Sequence, residues 1–119
     1  MAVTPPNRSA KPSPEAMRKH ACDAARLMKA VGNENRLMVL CALADGELSV
    51  SELLERVDLS QSALSQHLAV LRREGIVSTR RESQSIYYSL SSSTAGRLIE
   101  FLYSTYCSNP APRGGARRT

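Results

Sequence analysis

Residues 60–88, SQSALSQHLAVLRREGIVSTRRESQSIYY, constrain the fold more than any other stretch of this chain. They start with a helical period, stop at a glycine and continue with a period of two. Ser60 is a natural N-cap, because its hydroxyl accepts from the free backbone N–H groups of a first turn. Leu64, Leu68 and Leu71 follow at i, i+4 and i+7, one apolar stripe of a helix. Gly75 ends it, since glycine takes the left-handed conformation past a helix end without steric cost. The opposite face carries Gln61, Ser62, Ser65, Gln66 and His67, all donor and acceptor side chains.

After Gly75, residues 76–81 and 85–90 are rich in β-branched and aromatic side chains and roughly alternate, with Glu82, Ser83 and Gln84 as a polar turn between them. Before the helix, Ser49 and Glu52 have capping-box spacing at the head of a short segment with Leu53, Leu54 and Val57 on one face. Residues 58–60 form a tight turn between the two helices. Two helices followed by a basic ribbon is the order of a winged helix-turn-helix. In that arrangement the polar face near the N-terminus of the second helix meets base edges in the major groove. Arg80 and Arg81 then suit phosphates or a minor groove. The plainer readings are a solvated surface helix and two arginines that keep an exposed strand edge from aggregating.

Upstream, residues 15–31 place Met17, Ala21, Ala24, Met28 and Val31 on one side of a helix that Pro14 is suited to start. Gly32 and Asn33 interrupt it. Asn33 caps a second helix with Leu37, Leu40, Cys41 and Ala44 inward and Gly46 at its end. Residues 93–107 form a last helix with Leu98, Ile99, Leu102, Tyr103 and Tyr106 on its apolar side. The expected fold is therefore mainly α with a small β-hairpin, in the order α-α-α-α-β-β-α. The first and last helices carry more apolar surface than so small a domain covers, so they are expected to pair in a homodimer. A two-fold dimer sets two reading helices about 34 Å apart, one turn of B-DNA. Residues 1–14 and 108–119 are rich in proline, serine and basic residues and lack apolar periodicity, and are expected to be disordered around one folded domain at 15–107.

A chain of 119 residues suits one domain. Its net charge of +5 fits a nucleic acid or an anionic membrane surface, although Arg113, Arg117 and Arg118 of the tail supply part of it. No apolar run is long enough to span a bilayer, and the N-terminus lacks the apolar core of a signal peptide, so a cytoplasmic protein without membrane contact is expected. There, three cysteines act as thiols, metal ligands or redox switches rather than as a structural disulfide. Enzyme signatures are missing: no phosphate-binding glycine loop, no H-E-x-x-H and no C-x-x-C. No cofactor is expected. His20 reads as a surface residue and His67 as part of the DNA face, neither as a metal ligand.

The stretches KAVGNENRLMVLCAL, GELSVSELLERVDLSQSALSQHLAVLRREGIV and TRRESQSIYYSL resemble the ArsR/SmtB family of bacterial winged-helix repressors, across nearly all of residues 15–107. The resemblance implies a homodimer that occupies double-stranded operator DNA and leaves it when an inducer binds. It implies that Gln61, Ser62, Ser65, Gln66 and His67 face DNA, with Arg80, Arg81 and Gln84 on the wing. The thiolate pair of the family's arsenic and cadmium sensors is replaced here by Ser49 and Ser51, and hydroxyls are poor ligands for soft metals. The zinc site of other members needs Asp and His on the last helix, where this chain has only Glu100. Cys41 and Cys107 are similar in position and context to the sensor thiols of the sulfide-responsive branch, the BigR/SqrR type, which implies reactive sulfur species as the inducer. Thiolate attack on a persulfide makes a protein persulfide that a second thiol captures. A bridge with extra sulfur spans a gap too wide for a plain disulfide.

Other readings stay open. Cys41 sits on an apolar stripe and also suits a small hydrophobe. Cys22, with Arg18 and Arg26 at i−4 and i+4, is a rival reactive thiol. A metal or general oxidant at Cys41 and Cys107, or a winged domain that binds only protein, are the alternative functions.

Overall fold

A computed structural model describes residues 11–107. In chain order the elements are α1 (Pro14–Arg18), α2 (Ala21–Val31), α3 (Glu34–Leu43), β1 (Leu48–Ser49), α4 (Val50–Arg56), α5 (Gln61–Arg73), β2 (Val77–Glu82), β3 (Ser85–Leu90) and α6 (Ser93–Tyr106). The expected tails fall largely outside the described residues. Within them, the expected first boundary moves slightly: Ser13 caps α1 through its hydroxyl, which accepts from the Ala16 N–H at 3.2 Å.

Local chemistry sets the helix ends. Asn33 Oδ1 accepts from the N–H groups of Asn35 and Arg36, both at 3.0 Å. Ser49 and Glu52 form the reciprocal capping box, and Ser60 Oγ accepts from Ala63. Gly75, with φ of 75°, turns the chain out of α5 and into β2.

The order differs from expectation in two places. The expected helix over 15–31 is broken at Lys19–His20, where the His20 N–H donates to the Met17 carbonyl in a tight three-residue turn. No residue of α1 is buried, so no packing holds it in line with α2. The second departure is β1, a strand additional to the expected hairpin. Leu48 and Ser49 pair with Tyr88 and Tyr87, giving an antiparallel sheet of order β1-β3-β2. The N-cap role of Ser49 explains it, since a capping residue is extended, and φ −80°, ψ 168° already fits a strand.

Leu64, Leu68 and Leu71 of α5 are buried against Val39, Leu40 and Leu43 of α3, Leu53 of α4, Ile76, Val77 and Ile99. The inner face of α3 is rotated from the expected stripe: Val39 and Leu43 are buried, while Leu37 and Cys41 are half-buried and Ala44 is exposed. On α2 only Ala30 and Val31 are buried. On α6, Ala95 and Ile99 are buried, whereas Phe101, Tyr103 and Tyr106 are exposed. No helix among the described residues is long and apolar enough to cross a membrane.

Removing a core leucine leaves a cavity that the surroundings only partly close. Leu64→Ala is therefore expected to cost about 2–5 kcal/mol in urea unfolding, and Gln66→Ala, on the exposed face of the same helix, to stay within about 0.5 kcal/mol.

Candidate nucleic-acid interface and thiol pair

Burial of the leucine stripe turns the other side of α5 outward. Gln61, Ser62, Ser65 and Gln66 are all exposed, and all lie in its first two turns. His67 belongs to the same set but is half-buried, with Nδ1 3.4 Å from Nη1 of Arg36. Arg72 and Arg73 end the helix, where cations suit the negative end of the helix dipole.

The wing is an antiparallel hairpin closed by Ser83 and Gln84, with Ser83 in the left-handed region at φ 58°. Side chains alternate across a strand, so Arg80 and Arg81 point to opposite faces. Arg80 lies across from Tyr87 and stacks on its ring at 4.8 Å to the centroid. It also donates to Glu47, with Nη2 at 2.6 Å from Oε2 and Nε at 3.2 Å from Oε1, and to Glu82. Arg81 lies across from Ile86, is exposed, and makes no ion pair with a described residue. Gln84 is exposed at the tip. The two adjacent arginines thus have different surroundings: one braces the wing against the segment before β1, the other is free in solution.

Glu47 and Arg36 were not among the expected functional residues. Glu47 is 33 positions from Arg80, and nothing local marks the pairing. Arg36 did leave a signal. It is a cation in the first turn of a helix, where the positive end of the dipole disfavours it, so it needs partners elsewhere.

Cys41 lies half-buried on α3, at the edge of an open groove of about 620 Å³ between α3 and α6. Met38, Arg56, Ile99, Glu100 and Tyr103 share the lining. Cys107 is exposed at the end of α6, one turn beyond Tyr103, whose carbonyl accepts from the Cys107 N–H at 2.8 Å. Burial pushes the Cys41 thiol up from its ordinary range, and negative charge on Cys107 pushes it further. All three cysteines are free thiols, and Cys22 is exposed. The break before α2 removes Arg18 from the helical register of Cys22, and Arg26 pairs instead with Glu74 at 3.0 Å. No cluster of three metal-ligating side chains assembles among the described residues.

The Arg80 guanidinium holds the Glu47 carboxyl below its ordinary value of 4.5. Because that value is lowered, the pairing is intact above the ordinary carboxylate range and is lost as pH falls through the lowered value. The Tyr87 ring resonances, which report the stacked guanidinium, are expected to shift below pH 4.5 in an NMR titration and to lose that acid transition in Glu47→Gln.

A profile of bacterial regulatory proteins of the arsR family matches residues 33–79. The chain is 54% identical over 93 residues to the transcriptional activator HlyU of Vibrio cholerae, covering 78% of this chain and 86% of that protein. The reduced form of HlyU superposes with a TM-score of 0.75 at 53% identity, over 79% of this chain and 99% of that one. The repressor BigR of Xylella fastidiosa gives a TM-score of 0.76 at 41% identity, over 82% and 100%. A homodimeric winged helix-turn-helix DNA-binding domain of Mycobacterium bovis gives 0.66 at 27%, over 82% and 88%. The leucine-packed α5, the braced wing and these relatives together make the chain a member of the arsR family, a winged-helix transcriptional regulator.

Proposed function

We propose that this regulator is a homodimeric repressor that reads operator DNA with α5 and the wing and releases it when reactive sulfur ties Cys41 to Cys107. The observation that supports the sensor reading is the placement of the half-buried Cys41 in the groove between α3 and α6 and of the exposed Cys107 at the end of α6, the helix that lines the same groove. Gln61, Ser62, Ser65, Gln66 and His67 meet base edges, and Arg81 and Gln84 meet the backbone beside them. Arg80 sets the wing. The exposed Met17 and Met28 and the exposed Phe101 and Tyr106 supply apolar surface for a two-fold partner. The homodimeric relative from Mycobacterium bovis supports that assembly. Its work on DNA places the protein in the cytoplasm.

The chemistry follows from the two environments. Cys41 is held in the protonated form by burial, whereas Cys107 is open to solvent, so Cys107 reacts first. Its thiolate takes the outer sulfur of a small-molecule persulfide and expels the carrier as a thiolate. The resulting protein persulfide takes a second sulfur from a second persulfide, which is the oxidant of the sequence. The Cys41 thiolate then attacks the middle sulfur and hydrosulfide leaves. In total, two thiols and two persulfides give one trisulfide, two carrier thiols and one hydrogen sulfide. The bridge fixes the end of α6 to α3. A coupling of about 1–3 kcal/mol between that bridge and the DNA-competent dimer weakens operator binding several-fold to over a hundredfold.

Cys41→Ser and Cys107→Ser are each expected to bind operator like the parent chain and to stay bound after persulfide treatment, measured by fluorescence anisotropy. Normal release from either variant would contradict the pairing. A separate readout checks the wing. Arg81→Gln is expected to reduce the slope of log K against log salt by about one, as for one lost phosphate contact. Arg80→Gln is expected to leave the slope unchanged and to abolish the Tyr87 ring shift.

A further inference from the structure

Arg36 is where α3 reaches the reading helix. Its Nε donates to the Ala30 carbonyl at 2.6 Å and its Nη2 to the Lys29 carbonyl at 3.4 Å. Both carbonyls belong to the last turn of α2, where they have no intrahelical donor. The guanidinium therefore closes the end of α2 and is held in place there. No carboxylate pairs with it among the described residues. Its remaining arm, Nη1, lies 3.4 Å from Nδ1 of His67. A guanidinium has donors only, so a hydrogen bond across this contact needs Nδ1 as the acceptor, which is the form with the imidazole proton on Nε2.

We propose that Arg36 is a positioning residue for operator recognition: it locks His67 in the form that presents an Nε2–H donor from the outward face of α5. Gln61 and Gln66 on the same face each offer both a donor and an acceptor, and so match several base edges. His67, fixed in this way, offers only a donor. It matches guanine O6 or N7, adenine N7, thymine O4 or a phosphate oxygen, and opposes the amino group of cytosine. The inference rests on the reading that this face of α5 meets DNA. It does not depend on the thiols, although Arg36 and Cys41 share the ten-residue α3.

Two measurements test it, with a duplex selected from random sequence by the parent chain as the DNA. Nitrogen NMR of the His67 ring is expected to show an unprotonated Nδ1 and a protonated Nε2 in the parent chain. In Arg36→Lys, which keeps the charge but loses the planar fork, the Nδ1 signal is expected to move while the backbone resonances keep their folded dispersion. A proton on Nδ1 of the parent, or no movement in the variant, would overturn the proposal. In a double-mutant cycle, Arg36→Lys and His67→Ala are each expected to weaken duplex binding several-fold, and the double variant to bind no worse than His67→Ala. Additive losses would overturn it. So would unaltered binding by His67→Ala while Gln66→Ala weakens binding, an outcome that leaves the DNA face of α5 intact. If Gln61→Ala and Gln66→Ala also bind unaltered, the DNA-face reading itself fails and takes the inference with it.

Discussion

Everything in this molecule depends on the burial of one leucine stripe. Leu64, Leu68 and Leu71 fix the rotation of α5 about its own axis, because turning it would drag three buried side chains into water and push glutamine and serine into a close-packed core. That one constraint decides which face looks outward. Gln61, Ser62, Ser65 and Gln66 therefore need no contacts of their own to be presented to a ligand, and are free to be chosen for recognition. The same logic explains the contrast between Leu64 and Gln66, neighbours on one helix with opposite duties.

The wing obeys a second constraint, the alternation of a strand. Two adjacent arginines look equivalent in a sequence and are not equivalent in a hairpin. Arg80 is committed to Glu47, Glu82 and the face of Tyr87, while Arg81 has solvent around it. A cation already paired with two carboxylates would exchange those partners for a phosphate at little net gain, whereas an unpaired one loses only water and counterions. The brace also joins the hairpin to the segment leading into α4.

Most of this was legible from local chemistry. The caps at Asn33, Ser49 and Ser60, the stop at Gly75 and the stripe of α5 are all short-range signals, and the structure agrees with each. What was not legible is long-range or depends on missing packing. The break at Lys19–His20 carries no glycine or proline; it arises because α1 buries nothing. The strand at Leu48–Ser49 is only two residues long and exists because a capping residue is extended and Tyr87 and Tyr88 lie beside it. Glu47 with Arg80, and Arg36 with His67, are pairs more than 30 positions apart. Of the thiols, a helical position could be assigned to Cys41, but not the half-burial that disfavours its ionised form.

The thiol pair is where structure and proposed function meet most directly, because a sulfur bridge either joins Cys41 to Cys107 within one chain or does not. Peptide mapping by mass spectrometry after treatment of the full-length chain with glutathione persulfide decides it. The account predicts a cross-linked peptide pair containing Cys41 and Cys107 of the same chain, heavier than the plain disulfide by added sulfur, and formed in step with loss of operator binding. Release of DNA while both cysteines are recovered in separate, unlinked peptides, or linked only between chains, would contradict it.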